Sequence, residues 1–219
     1  MPKNKKIISI IVAAYNEEKY IGRCLRSLLD QSMSRNDYEI IVINDCSIDK
    51  TSYALSLFHN AIKVINNKKN IGLPGSINLA IVKSKSEYII RVDADDFVNS
   101  NFLQFLLQYL ENNKFDAAAC DYLIVDDQEK VIKREDCLKK PIACGILFKK
   151  EHLIKIGMYD PEFFLNEEVD LQFRFKKKYS LGRLDVPLYR YRIHKNNMTK
   201  NKKKKYFFDK KFKVKHNLN

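Results

Sequence analysis

The first apolar run of the chain, Ile7–Ala14, is interrupted only by Ser9 and is rich in β-branched residues. Runs of this kind suit strands buried on both faces of a mainly parallel sheet. Glu39–Ile43 and Tyr88–Val92 repeat the pattern, Ile62–Asn66 is a shorter version, and Asp116–Val125 and Cys144–Phe148 add two more. Between them the apolar positions fall at helical spacing. Ile21, Cys24, Leu25, Leu28 and Leu29 share one face of a helix opened by Asn16-Glu17-Glu18. Further helices are expected from Thr51 to about Phe58 and over Ile77–Lys83, Phe102–Leu110, Glu151–Ile156 and Leu171–Tyr179. A last strand, Asp185–His194, alternates Leu188, Tyr189, Tyr191 and Ile193. Alternation of strands and helices predicts an α/β fold with a mostly parallel central sheet. Asn70–Ser76 reads as a turn-rich connector, and Asp126–Lys140 as a hairpin or a mobile loop.

The polar residues that end the strands carry the candidate chemistry. Tyr88-Ile89-Ile90-Arg91-Val92 runs directly into Asp93-Ala94-Asp95-Asp96. Open α/β sheets bind ligands at the C-terminal ends of their strands. Asp-x-Asp on an extended chain sets two carboxylates on one side. Their hard oxygens suit Mg²⁺ or Mn²⁺ shared with substrate phosphates. The same triplet also suits a solvated acidic turn. A second strand ends in Asn44-Asp45-Cys46-Ser47-Ile48-Asp49, which offers acceptors and a helix cap. Asn166-Glu167-Glu168-Val169-Asp170 stands before a helix, where the dipole by itself favours acids.

Charge and cysteines narrow the setting. The net charge of +13 over 219 residues is unevenly placed. Residues 195–219 hold ten Lys and one acid; subtracting that +9 from the total leaves +4 for the rest. The basicity therefore belongs to a tail and not to the folded body. Basic and aromatic residues together can bind single-stranded nucleic acid. Here the charge sits at one end while carboxylates occupy the ligand edge, so no nucleic acid is expected. The five cysteines are odd in number and lack CxxC spacing, which argues against a disulfide framework or structural zinc. A reducing, cytoplasmic setting is expected. Met1–Lys6 before the first apolar run resembles a signal peptide only superficially, because the run is short and no small-residue cleavage site follows.

Five segments, in order, resemble the large family 2 of nucleotide-sugar-dependent inverting glycosyltransferases with the GT-A fold. They are Val12–Glu17, Asn44–Thr51, Asn70–Asn78, Val92–Asp96 and Glu167–Leu171. Tyr191-Arg192-Ile193-His194 with Asn197-Met198-Thr199 is similar to the closing segment of a bacterial cell-surface glycan subgroup. The resemblance implies a Rossmann-like three-layer α/β/α sandwich with a small antiparallel addition. It spans residues 1–199, followed by a basic, aromatic tail over 200–219. It implies a donor pocket lined by Ala14, Tyr15, Glu17, Asp45, Gly72, Asn78, Asp93 and Ala94. Asp95 and Asp93 would hold Mn²⁺ or Mg²⁺, with His194 reaching the metal or the diphosphate from the far side; a lone histidine at a strand end also suits a structural role. The catalytic base would be Glu168, with Glu167 as its rival.

The implied reaction moves one sugar from a nucleotide-diphosphate donor, by resemblance a UDP-sugar, to a glycan or lipid-linked glycan acceptor in cell-surface polysaccharide synthesis. Four positions depart from the family pattern. Glu168 stands where an Asp is usual, Ala13 replaces a Pro, and Asn44 replaces one acid of an Asp-Asp pair. Ile77 stands where many members carry an Arg, so Arg192, Lys195 or His194 is left to meet the phosphates. With no Trp, the chain lacks the Gln-x-x-Arg-Trp motif of processive synthases, and single transfer is expected. A nucleotidyltransferase would use the same metal and diphosphate, but Ala13–Glu17 lacks the Gly-rich basic loop such enzymes need. A non-catalytic nucleotide- or glycan-binding relative is the other alternative. The tail, with Tyr206, Phe207, Phe208 and Phe212 among lysines, suits an anionic membrane surface, placing the enzyme peripherally on the inner face of the plasma membrane. A disordered soluble tail is the plainer reading.

Overall fold

The computed structural model describes residues 6–163, 167–195 and 202–218. Asn166 and the Asn197-Met198-Thr199 segment lie outside them. The first half of the sheet is built from β1 (Ile8–Ala14), β2 (Tyr38–Asn44), β3 (Lys63–Asn66) and β4 (Tyr88–Arg91). All run parallel, in the order β3-β2-β1-β4, with Ile10 in register with Ile40 on one side and Ile90 on the other. Nearly every residue of β1 is buried, so both of its faces are covered. That is why the run carries no alternation.

The helices α1 (Ile21–Leu29), α2 (Thr51–Ser56) and α3 (Gly72–Lys83) connect these strands. The sequence placed a turn over 70–76, but α3 already starts at Gly72. Proline is tolerated in a first helical turn, where its missing N–H has no partner to lose. The Asp45 carboxylate accepts the backbone N–H groups of Ile71 and Gly72, both at 2.9 Å, and so stabilises a helix start that carries no side-chain cap of its own. Gly72 takes φ +79°, which favours glycine.

The second half mixes directions. It holds β5 (Phe97–Val98), α4 (Phe102–Asn112), β6 (Ala117–Val125), β7 (Val131–Glu135), β8 (Ile146–Lys149), α5 (Lys150–Lys155), α6 (Glu167–Lys176) and β9 (Leu181–Arg192). β8 joins antiparallel to β4 and to β6, so β6 points the same way as β4, and β9 runs parallel to β6. The C-terminal ends of β1, β2, β4 and β9 therefore face one edge. The 126–140 segment is the hairpin of the two alternatives, since β7 pairs antiparallel with β6. The expected acids at 167–170 lie inside α6 and not ahead of it. The mixed α/β sheet agrees with the expected GT-A Rossmann-like architecture. All five cysteines are free. Among the described residues no helix is long and apolar enough to cross a membrane.

The C-terminal segment is not a disordered tail over its described residues. It forms α7 (Lys202–Lys215), which packs on the body through Phe208 against Phe163 and Phe212 against Phe173. Tyr206 and Phe207 point outward, 73% and 62% exposed.

Gly182 on β9 leaves no room for a side chain: an added Cβ would lie 2.3 Å from the Phe115 ring. Gly182→Ala is expected to cost about 1–3 kcal/mol by overpacking. Urea denaturation measures this, and Phe115→Leu in the same chain should recover part of the loss.

Candidate active site

β4 delivers the acidic triplet to the shared edge, and each acid has a different surrounding. Asp93 accepts from Arg91 at Oδ1 (Nε, 2.7 Å) and at Oδ2 (Nη2, 3.2 Å). The Cys144 thiol donates to Asp93 Oδ2 at 2.9 Å, and burial together with that carboxylate pushes the thiol pKa well up. Asp95 lies 2.8 Å from Nε2 of His194, whose ring rests on Tyr20 at 4.8 Å between centroids. Burial and the Asp93 charge raise the Asp95 pKa, and the His194 contact works against them. Asp96 is buried: it accepts the Tyr189 hydroxyl at 2.6 Å and the Arg192 backbone N–H at 2.7 Å. Burial, then Asp95 and Asp93, hold its pKa well above the ordinary range.

Arg91 reaches further than its own loop. Its Nη1 donates to Glu167 Oε1 at 2.9 Å, so one buried guanidinium spans Asp93, just after β4, and the first residue of α6. Burial opposes its charge, but Asp93 and the neighbouring acids hold the pKa above the ordinary range. Glu168, next along, is pushed up to about 7 by burial and then by the Glu167 charge. Glu17 at the end of β1 is pushed up to about 8 by burial, then by Asp95 and Asp93. The carboxylates of Glu17, Asp93, Asp95 and Asp96 thus crowd one another.

The predicted metal set is only partly grouped. Asp95 and His194 meet, but Asp93 gathers with Asp96 and Cys144 instead, three ligand atoms within 4.8 Å of one another. Carboxylate oxygens with one imidazole still form a donor set that fits Mn²⁺ or Mg²⁺. The mutual crowding of the acids is what a cation there would relieve.

Other predicted positions are engaged in structure. Buried Asp45 spends its oxygens on Ile71, Gly72 and the Asn67 amide (2.7 Å), which fixes the β2 end to α3. Asn78 bonds the Tyr159 backbone in both directions, at 2.7 and 3.0 Å. Ala14 and Ala94 are buried, whereas Tyr15 is about half exposed. Arg192, one candidate for a phosphate contact, is buried and donates to the Asp95 carbonyl, the Asp127 carbonyl and Glu129. Asp127 in turn binds Lys19 and the Tyr20 hydroxyl, both at 2.6 Å, so the hairpin tip braces the wall behind His194. Sequence reasoning gave no site role to Arg91, Cys144 or Tyr189, and took Asp96 only as a member of the acidic triplet. Arg91 directly before Val92-Asp93 was the one available signal, a charge at the end of a buried strand.

Breaking a buried pair from one side leaves the other charge uncompensated. Arg91→Met is expected to lower stability by about 3–5 kcal/mol. Arg91→Lys keeps the charge without the two-pronged fork and should lose less. Urea denaturation of both variants checks the order.

Comparison with known proteins agrees with this fold. The sequence model of the family described as Glycosyl transferase family 2 matches residues 9–172. An uncharacterised glycosyltransferase of Haemophilus influenzae is 36% identical over 148 residues, 66% of this chain and 41% of that protein. TarS of Staphylococcus aureus, a poly(ribitol-phosphate) beta-N-acetylglucosaminyltransferase, is 33% identical over 111 residues, 49% of this chain and 19% of that protein. The solved structure of TarS with UDP-GlcNAc superposes with a TM-score of 0.77 at 20% identity, covering 89% of this chain and 61% of that one. A mannosyltransferase from Pyrobaculum calidifontis, in complex with GDP-Man and Mn²⁺, gives a TM-score of 0.72 at 17% identity, covering 90% and 59%. The chain thus spans less than two thirds of the length of each of these proteins. On the match over most of its length, the chain belongs to glycosyl transferase family 2.

Proposed function

We propose that this chain transfers a single sugar, with inversion, from a nucleoside-diphosphate donor to a hydroxyl of a glycan or lipid-linked glycan. The observation that carries the reading is the Arg91 bridge. It joins Asp93, just after β4, to Glu167 at the start of α6, so the acids of the two segments share one site. UDP is the favoured nucleotide, supported by the solved TarS complex with UDP-GlcNAc. The role of TarS and its relatives supports a place in cell-surface polysaccharide synthesis.

Departure of the diphosphate gathers negative charge at the β4 edge while the sugar becomes cation-like. Asp93, Asp95 and His194 are the residues that would hold a divalent cation there; when bound it supplies Lewis-acid stabilisation of the leaving charge. Asp45 and Gly72 shape the wall where the base and ribose would lie, with Ala14, Tyr15 and Glu17 at the end of β1. Glu168 takes the proton of the attacking hydroxyl. General-base help of this kind contributes about 10²–10⁴-fold. Glu167 is occupied by the Arg91 ion pair, which leaves Glu168 beside it as the base, its pKa raised by burial and then by Glu167. The residue pair thus divides into an ion-pair partner of Arg91 and a base.

The acid limb follows from this. Glu168 accepts a proton only when ionised, so turnover is expected to rise with pH through a midpoint near 7 and level off above it. Glu168→Gln should keep donor binding and lower kcat by about 10²-fold or more. A panel of nucleotide sugars with Mn²⁺, with and without chelator, scored by transfer and by thermal shift, tests the reading. Full turnover in Glu168→Gln, or with chelator present, would overturn it.

The outward face of α7 supports a membrane-peripheral enzyme, consistent with a lipid-linked acceptor. Tyr206, Phe207 and Val214 are exposed among lysines. Each basic residue near an anionic leaflet contributes about 1 kcal/mol. The full chain is expected to sediment with vesicles containing phosphatidylserine, and Tyr206→Ser with Phe207→Ser should weaken that binding. Equal sedimentation of both proteins rejects the membrane role.

A further inference from the structure

α7 lies beyond residue 172, where the family match ends, yet it grips the polypeptide on both sides of the candidate base. Ahead of the acids, Phe208 packs against buried Phe163 with centroids 6.2 Å apart. Lys211 reaches the Glu162 carbonyl at 3.1 Å and its carboxylate at 2.8 Å. Lys215 Nζ meets Asp160 Oδ2 at 2.7 Å. Behind the acids, the same Lys215 Nζ meets Asp170 Oδ1 at 2.7 Å, and His216 Nε2 lies 2.8 Å from that oxygen. Phe173 packs against Phe212 at 5.4 Å and against His216 at 4.4 Å.

Asp170 is the pivot of this arrangement. It is 0% exposed and lies within one helical turn of Glu167 and Glu168. Arg174 on its own helix supplies one partner, at 2.6 Å. The partners from outside the helix are Lys215 and His216. Burial alone would raise the Asp170 pKa; hydrogen bonds from Lys215, Arg174 and His216 hold it below the usual carboxylate range. A carboxylate so deeply buried is stable only with such partners in place. Lys215 therefore ties the chain before Phe163 to the first turn of α6, with Glu167 and Glu168 lying between those two points in sequence.

We propose that Lys215, His216 and Phe208 are positioning residues: α7 clamps the segment that carries Glu167 and Glu168 and sets where the base stands relative to the acceptor. The inference rests on the reading of Glu168 as the base. It makes the C-terminal helix part of the acceptor-side machinery and not only a surface appendage. The α7 contacts named above fall on residues 160–163 and on α6 and not on the ends of β1, β2 or β4, so loss of the clamp is expected to act first on the chemical step.

The test uses the full chain with Lys215→Met, Lys215→Arg and Phe208→Ala. Lys215→Met and Phe208→Ala are expected to lower kcat about tenfold or more, the scale on which misplacement of a reacting group acts. Donor KM should stay within about twofold, and Lys215→Arg should recover most of the rate because it keeps the charge and a donor. Hydrogen–deuterium exchange in the same proteins gives a second readout, since local opening shows there directly. Exchange should rise in the peptide covering 160–173 and stay unchanged across 88–96. Wild-type kcat in both Lys215→Met and Phe208→Ala overturns the proposal. So does a loss of rate accompanied by an equal loss of donor affinity and a general rise in exchange. If the unaltered chain transferred no sugar, the functional reading would fall, and the exchange result alone would decide whether the clamp exists.

Discussion

A guanidinium buried between two carboxylates ties the site together. Arg91 sits where β4 leaves the sheet, and taking its charge out of water is costly unless partners are close and well aimed. Asp93 supplies one partner from the same loop, and Glu167 supplies the other from 76 residues further along the chain. The second contact fixes the start of α6 against the end of β4. A fold that merely brought the two elements near each other would leave Arg91 with one face unpaired. The electrostatic requirement therefore specifies a geometry that packing of apolar side chains alone would leave loose.

The same logic runs along the rest of the edge. Asp96 is buried because Tyr189 and the Arg192 backbone satisfy it, and both belong to β9. That pair of bonds fixes β9 against the loop after β4 and carries His194 to Asp95. Asp45 does the equivalent work between β2 and α3. The ends of β2 and β4 are thus tied to later elements through the buried carboxylates of Asp45, Asp96 and Glu167, each accepting N–H or O–H donors from another element. Polar groups buried in this way must be satisfied, which makes each tie specific to one arrangement.

The parallel half of the sheet was legible because its strands are buried on both faces and read as plain apolar runs. The acidic cluster was legible from its place at the end of a buried strand and its order among the other family segments, since the triplet by itself also suits a solvated turn. What was not legible depended on partners far away in sequence. Gly72–Gly75 looks like a turn until Asp45 is seen accepting its backbone N–H groups. β5 has two residues and gives no periodic signal. Arg91 reads as a polar strand end, since nothing local announces Glu167. α7 reads as a solvated lysine tract because its inward residues find Phe163, Phe173 and Asp170 only in the folded chain.

The acids of the site differ in charge state because their neighbours differ. Glu167 faces Arg91 and pairs with its guanidinium at 2.9 Å. Glu168 begins the same helix, where the dipole favours a carboxylate. Yet its pKa goes up to about 7, so burial and the charge of Glu167 outweigh the dipole. Glu17 goes further, to about 8, with two acids of the β4 loop among its neighbours. Environments that push like groups apart are how one site supplies both a fixed charge and a proton acceptor. On this account Arg91 has a second effect beyond holding two elements together. Its positive charge lowers the Glu168 pKa against the rise that burial and Glu167 impose, so the residue that fixes the position of the base also helps set its basicity.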